Sequence, residues 1–343
     1  MRKLLNTLYV TDPDIYLSLE GENVVALRDK ETLLRLPLHN LEGIVTFGHA
    51  GTSPALMGAC AERNIALSFM TMYGKFLAGV CGPEKGNVLL RKTQYRLSDS
   101  EGASLPIARN IIAGKLYNSR WVLERAIRDH APRLDAGRLE NASNLIAQAV
   151  PLAREAGSLG ALRGVEGEAA SRYFSVFDEL ILQNKAEFAF DGRSRRPPRD
   201  RVNAMLSFVY TLLVGEASSA LSAAGLDPFV GFLHRDRPGR RSLALDLMEE
   251  LRAPLADRFV LTLINNRQVV PSEFILKENG AILMKDETRR GLLAAWQERK
   301  KEQIVHPFLK EKIEWGLVPH AQALLLARHL RGDLDEYPPF LWK

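Results

Sequence analysis

Acidic side chains, one imidazole and several guanidinium groups are concentrated in "GFLHRDRPGRRSLALDLMEEL", residues 231–251, which holds His234, four arginines and four acids. Such groups can pair with one another on a solvated helix, or form a polar centre flanked by cations that grip an anionic polymer. Asp246 and Glu249 are three residues apart, so a helix projects both from one face, with Glu250 bordering it four residues after Asp246. The ordinary reading is a water-facing surface whose charges meet Arg241, Arg252 or other neighbours. A second acid, Glu166 in "LRGVEGEAASRYFSVFDELIL", is expected in the first turn of a helix opening after Gly164, where the helix dipole favours a carboxylate. Gly164, Gly167 and Ala169 leave room for a ligand or another chain element to come near the backbone there. Glu168 would serve a helix end equally well, and spacing alone does not choose.

Two arginine-rich loops frame these acids. Arg193, Arg195, Arg196, Arg199 and Arg201 precede Asn203, which stands near the start of an apolar helix, while Arg235, Arg237, Arg240 and Arg241 follow His234 around Pro238 and Gly239. Guanidinium groups offer fixed donors that suit phosphate oxygens, so both loops could hold a nucleic-acid backbone; flexible, solvated loops are the competing reading. The charge balance leans the same way. Residues 1–90 carry 8 Lys and Arg against 9 Asp and Glu, and the remainder 38 against 32. The basic surplus therefore belongs to the second part, which makes a polyanionic partner worth considering.

A change of texture near residue 90 indicates what must position these groups. Short runs of strand formers ("NTLYV", "DIYLSLEG", "NVVALRD", "GIVTFG", "IALSFM", "FLAGV") alternate with turn signals at Glu20-Gly21-Glu22-Asn23 and Tyr73-Gly74-Lys75. One helix interrupts them, with Ser53 as N-cap and Pro54 in its first position. From about Thr93 the pattern is helical, first with Ile107, Ile111, Ile112, Leu116, Trp121 and Val122 on an apolar face. Further periodic segments run over 139–155, 165–183, 202–224, 243–265 (opened by Ser242 as cap), 286–302 and 319–330. The tail "EYPPFLWK" reads as an extended arm. The expected fold is α+β and multidomain: an N-terminal β-sheet domain over 1–90 and a larger, all-α domain over 91–343.

Several classes are disfavoured. The apolar runs are expected to be too broken by charge to span a bilayer, and Asn6, Asp12 and Asp14 interrupt any signal-peptide core. Two cysteines, Cys60 and Cys81, form neither a disulfide framework nor a zinc ribbon, which fits a reducing cytoplasm. No P-loop suggests ATP use. His39, His49, His130, His306, His320 and His329 lack acids at ligand spacing, and Cys60 reads as a small core residue.

"GVEGEAASRYF", "RRPPRDRVNAMLSFVYTLL" and "GFLHRDRPGRRSLALDLMEELR", in this order after "ALMGACAERNIALSFMTMYGKFLAGV", resemble the CRISPR-associated integrase family, the metal-dependent endonucleases of the adaptation step. "LLNTLYVT" and "YPPFLWK" are similar to the branch that accompanies type I-C systems. The resemblance covers essentially the whole chain. It implies a β-sheet N-terminal domain that dimerises, a helical catalytic domain, and a homodimer that joins a small ferredoxin-like partner in a heterohexamer. It also implies a site of Glu166, His234 and Glu249 holding Mg²⁺ or Mn²⁺, with Asn203 in support. Asp246 falls on a further acidic position, as an added ligand or as a support. Many relatives have aspartate where this chain has Glu249. Two carboxylates and an imidazole suit such an ion, which would polarise a phosphodiester for attack by the 3′-hydroxyl of a captured DNA fragment, or by water. A general metal-dependent nuclease and a non-catalytic DNA-binding scaffold are the other readings to be kept.

Overall fold

The computed structural model describes residues 6–72, 76–80 and 88–343, so the turn expected at Tyr73-Gly74-Lys75 and the thiol of Cys81 lie outside the described residues. The chain forms two compact units. The first comprises residues 1–86 and 285–302. Its strands are β1 (Asn6–Val10), β2 (Tyr16–Glu20), β3 (Asn23–Arg28), β4 (Glu31–Pro37) and β5 (Leu41–Phe47), followed by α1 (Pro54–Arg63), β6 (Ala66–Met70) and β7 (Phe76–Val80). One sheet has the order β1-β5-β6-β7, with β5 parallel to β1 and β6 and with β7 antiparallel at the edge. Parallel neighbours need a long crossover, which α1 supplies between β5 and β6. The second sheet is the meander β2-β3-β4, whose first turn uses Gly21 at φ +59°. Ser53 caps α1 through a bond from the Leu56 N–H, and Asn64 closes it in the left-handed conformation, as the Ser-Pro start predicts. Leu17, Val24, Leu38, Ile44, Leu56, Cys60 and Leu67 form the core, with Cys60 a buried free thiol.

The second unit comprises residues 87–284 and 303–343. It contains α2 (Val88–Ser98), α3 (Glu101–His130), α4 (Ala136–Glu155), α5 (Leu159–Ser175), α6 (Arg201–Ala223), α7 (Ser242–Leu251) and α8 (Arg258–Asn265), then the hairpin β8 (Phe274–Leu276) and β9 (Ile282–Met284). The next helix, α9 (Asp286–Lys301), belongs to the first unit; β10 (Gln303–Val305), β11 (Lys312–Glu314) and α10 (Val318–Leu330) complete the second. α3 is the spine of this unit, packing against α4, α5 and α7, while α6 packs against α7 and α10.

These facts change several expectations. The boundary at residue 90 misses α9, because an amphipathic helix looks the same whether it packs on a sheet or in a bundle. The second unit is mainly helical rather than all-α, since two short hairpins interrupt it. The segment expected as one helix over 243–265 runs as α7, a π-helical stretch at Arg252–Asp257 and α8. Pro254 lies inside that stretch and lacks the N–H an α-helical ladder needs there. α6 does have the length and apolarity of a membrane span, contrary to the expected charge interruptions, and most of it is buried in the unit as a core helix would be. Finally, the C-terminal "arm" folds inward: Tyr337, Phe340 and Trp342 are all buried.

Candidate active site

α7 carries three of the acids, and every residue of it except Leu245 is buried. Leu243, Leu247 and Leu251 form an apolar stripe, yet Asp246 and Glu250 are also fully buried and Glu249 is 4% exposed. The water-facing reading of these acids is therefore overturned. Buried carboxylates need partners, and each of the three has a different set.

Asp246 holds the His234 loop. Its Oδ2 accepts the N–H groups of Phe232 (2.7 Å) and Leu233 (2.9 Å), and its Oδ1 accepts the His234 N–H (3.0 Å) and faces His234 Nδ1 at 2.6 Å. A carboxylate can only accept, so Nδ1 carries a proton and Nε2 is left to face Glu249 Oε1, 4.0 Å away. Both oxygens of Asp246 are thus engaged by the His234 loop and its imidazole, which orients the ring. Gly231 makes this approach possible, because a Cβ there would lie 2.8 Å from Asp246 Oδ2 and 2.9 Å from the Ser242 backbone. Ser242 is not the cap it was expected to be. It is the first helical residue and donates to the Arg235 carbonyl (3.1 Å), while the Pro228 carbonyl accepts the Leu243 and Ala244 N–H groups.

Glu249 faces cations. Arg252 lies 3.0 Å from its Oε1 and Lys115 Nζ 2.8 Å from its Oε2. Burial pushes the Glu249 carboxyl up, but Arg252, then Lys115 and His234, outweigh it and hold the pKa at about 2. The buried Oε2 meets no well-aligned donor, and the nearby Lys115 ammonium compensates it mainly by charge. The same ammonium contacts Glu166 Oε1 and so joins the two acids. Glu166 itself lies in the middle of α5. Ser158 caps that helix, so the first-turn argument fails and Lys115, not the helix dipole, supplies the compensating charge. A Cβ on Gly164 or Gly167 would meet nothing within 4 Å, which leaves this flank of Glu166 open.

Glu250 points to the C-terminal segment instead. Its carboxylate accepts from Tyr337 Oη, from Gln322 Nε2 (3.0 Å) and from the Phe340 N–H (2.6 Å), and burial raises it to about 7. Asn118 donates to the carbonyls of Glu250 (2.6 Å) and Phe340 (2.7 Å), which ties α3 to α7 one turn beyond Lys115.

The arginines divide by direction. Arg195, Arg196, Arg199, Arg235 and Arg237 are exposed. Arg193 turns inward: it donates to Asn203 Oδ1 and Ser207 and stacks on Tyr210, 5.2 Å from the ring centroid. Arg252 stacks on the same ring at 5.0 Å, and the Tyr210 hydroxyl donates to buried Asp257. Asn203 is thus linked to Glu249 through Arg193, Tyr210 and Arg252. Arg201 donates to the Glu187 carbonyl and pairs with its carboxylate, Arg241 donates to Ser218, and Arg240 is half-buried.

Glu166, His234 and Glu249 are therefore brought to one place, although no three His, Cys, Asp or Glu groups among the described residues stand close enough to hold an ion as the side chains lie. The donor set still fits a divalent ion. It has two carboxylates, an imidazole with its tautomer fixed by a carboxylate, and one buried oxygen without an aligned donor. Sequence reasoning missed Lys115, and it named Arg252 as a partner of these acids only on a water-facing surface. Lys115 lies one turn from Ile111, Ile112 and Asn118, and two polar residues on an apolar stripe were the available signal.

The model of the CRISPR associated protein Cas1 family matches residues 8–298. A CRISPR-associated endonuclease Cas1 of Chlorobaculum tepidum is 51% identical over the full length of both chains, and one of Rhodospirillum rubrum is likewise 51% identical over the full length of both. Among solved structures, a casposase bound to integration product superposes with a TM-score of 0.85 over 99% of this chain and 95% of that one, at 23% identity. A chain of a Cas6-RT-Cas1–Cas2 complex gives 0.82 over all of this chain and 36% of that one, at 21% identity. With the family model and full-length relatives in agreement, the chain belongs to the Cas1 family of CRISPR-associated endonucleases.

Proposed function

We propose that this chain inserts captured DNA fragments into a CRISPR array by metal-dependent strand transfer. The 3′-hydroxyl of the fragment attacks a phosphodiester at the edge of the repeat; one P–O bond forms, one breaks, and the hydroxyl proton is balanced by the oxygen that leaves. The number of phosphodiester bonds is unchanged, so no nucleotide cofactor is required. Glu166, His234 and Glu249 would hold Mg²⁺ or Mn²⁺. When bound, such an ion supplies polarisation of the phosphodiester and stabilises charge on the reacting oxygens. Asp246 keeps the His234 ring turned toward Glu249, and Arg252 keeps Glu249 ionised. The exposed Arg195, Arg196, Arg199, Arg235 and Arg237 grip backbone phosphates in a salt-sensitive, sequence-tolerant way.

The observation that carries this reading is the Asp246–His234–Glu249 alignment, since a carboxylate that fixes an imidazole tautomer opposite a second carboxylate is the arrangement metal-binding histidines need. Its setting would be the cytoplasm. There the chain acts as a homodimer, paired through its N-terminal sheet domain, with a small ferredoxin-like partner in a heterohexamer of the type I-C kind. The Cas1–Cas2 assembly named among the structural neighbours supports such a partner.

The test mixes the protein and its small partner with a short duplex bearing 3′-hydroxyls, a supercoiled plasmid carrying the repeat, and Mn²⁺. Wild type is expected to give joined product and His234→Ala none, with DNA binding kept by both. Equal joining by the two would remove His234 from the mechanism. Cleavage that ignores the 3′-hydroxyl would favour a general nuclease.

A further inference from the structure

We propose that Lys115 is a built-in counter-cation of the site: its ammonium occupies the place between Glu166 and Glu249 that a divalent ion would take, so that metal entry must displace it. This deepens the reading above and rests on it.

Four observations support the exchange. The ammonium touches Glu166 Oε1 and lies 2.8 Å from Glu249 Oε2, so one cation serves both acids. At Glu249 the ammonium approaches closely without good hydrogen-bond alignment, so charge contributes more to the contact than direction does, a demand that another cation of suitable size also meets. No three acid or imidazole groups among the described residues stand ready for an ion with the lysine in place, as expected if the ammonium must leave first. The backbone beneath Lys115 is fixed by packing, while its side chain is held only through the ammonium at its tip. A Cβ on Gly114 would lie 2.9 Å from Pro339 and 3.3 Å from Glu250, and Asn118 bonds α3 to α7, whereas the lysine stem has four rotatable bonds. Arg252, the other cation at Glu249, is held against Tyr210 and stays. Of the two, Lys115 is the movable one.

The experiment measures Mn²⁺ binding to the full-length protein by loss of the free-ion paramagnetic signal, for wild type, Lys115→Met, Lys115→Arg and His234→Ala. Lys115→Met is expected to bind Mn²⁺ on the order of tenfold more tightly than wild type, because a competing unit charge a few ångströms from the ion is removed. Lys115→Arg keeps the charge and gains nothing. Thermal unfolding gives a second readout: Lys115→Met melts lower than wild type without metal and is raised more by Mn²⁺, whereas the ion would not restore stability if the lysine's role were merely structural. Equal or weaker Mn²⁺ binding by Lys115→Met overturns the inference. If wild type binds Mn²⁺ in a His234-dependent way and Lys115→Met is no tighter, the metal site stands and only the lysine's role falls. If neither wild type nor Lys115→Met binds saturably, the metal-site reading and this inference fall together.

Discussion

Replacing Asp246 by asparagine tests the logic of the site most directly, because the change keeps shape and removes only charge and acceptor capacity. The carboxylate accepts two N–H groups on Oδ2 and the His234 N–H and Nδ1–H on Oδ1. An asparagine has one acceptor oxygen. Whichever way its amide turns, two of the four donors then face an NH₂ group. Hydrogen bonds to a charged acceptor contribute about 1.5–3 kcal/mol each, so losing two costs roughly 3–6 kcal/mol before relaxation. That is a large part of the ~5–15 kcal/mol that typically holds a protein folded. If the oxygen stays on the loop side, the His234 ring loses its tautomer. If it turns to the ring, the Phe232 and Leu233 amides lose theirs and the loop shifts. In both cases the imidazole loses its setting opposite Glu249, for which roughly a 10- to 100-fold loss of activity is expected. The assay pairs urea unfolding, followed by tryptophan fluorescence, with the joining reaction, using Glu168→Gln on the exposed side of α5 as a control. A wild-type urea midpoint together with wild-type joining in Asp246→Asn would refute the assignment of Asp246 as the residue that holds His234.

Glu250, raised by burial from 4.5 to about 7, favours the protonated folded state, so its contribution is fully present below about pH 4.5 and is lost as pH rises through 7. Asp257, raised to about 6, acts in the same direction. Urea midpoints should therefore fall between pH 4.5 and 7, and Glu250→Gln should remove part of that slope, at most about 3 kcal/mol, leaving the Asp257 part; an unchanged slope would exclude Glu250 as its source. Serine at Arg195, Arg196 and Arg199 should weaken DNA binding for all sequences and lower the salt slope of log K by about 0.9 for each phosphate no longer neutralised, measured by fluorescence anisotropy. Arg193→Lys should lower the unfolding midpoint instead, since Arg193 stacks on Tyr210 and bonds Asn203 inside the unit. Equal effects of these two changes on the salt slope would refute the division of the arginines into outward and inward sets.

Much of this arrangement was legible in the sequence, and what was not has identifiable physical causes. Strand alternation and the Ser53-Pro54 start made the strands and α1 of the first unit legible, though not α9, and long 3.6-residue periodicity did the same for most helices of the second. Glu166, His234 and Glu249 were singled out by motif, and the structure places them near one another, yet their surroundings were not legible. Charge in a helix pattern reads as water-facing, and nothing local reveals that Asp246 meets three backbone amides or that Glu250 meets the tail, because those partners are distant in the chain or lie in the backbone. The start of α5 was misplaced because Gly164 resembles a boundary, whereas Ser158 caps the helix six residues earlier. Lys115 was overlooked because a lone lysine in a long helix is ordinarily solvated; its burial follows from two acids on other helices.

The placement of α9 bears on how the protein comes to be folded. Lys300, almost wholly buried, reaches Glu42 at 3.1 Å and Thr7 at 3.3 Å, and Gln297 donates to the Thr7 carbonyl at 2.8 Å. On the ribosome, β5 emerges 258 residues and β1 about 290 residues before the side chains that complete their polar contacts. Until then Glu42 lacks its lysine, and the sheet edge by Thr7 must stay hydrated or rely on a chaperone. An expression clone cut near residue 90 would inherit that deficit permanently, whereas one in which residues 285–302 are joined by a short linker after residue 86 would carry every segment of the first unit.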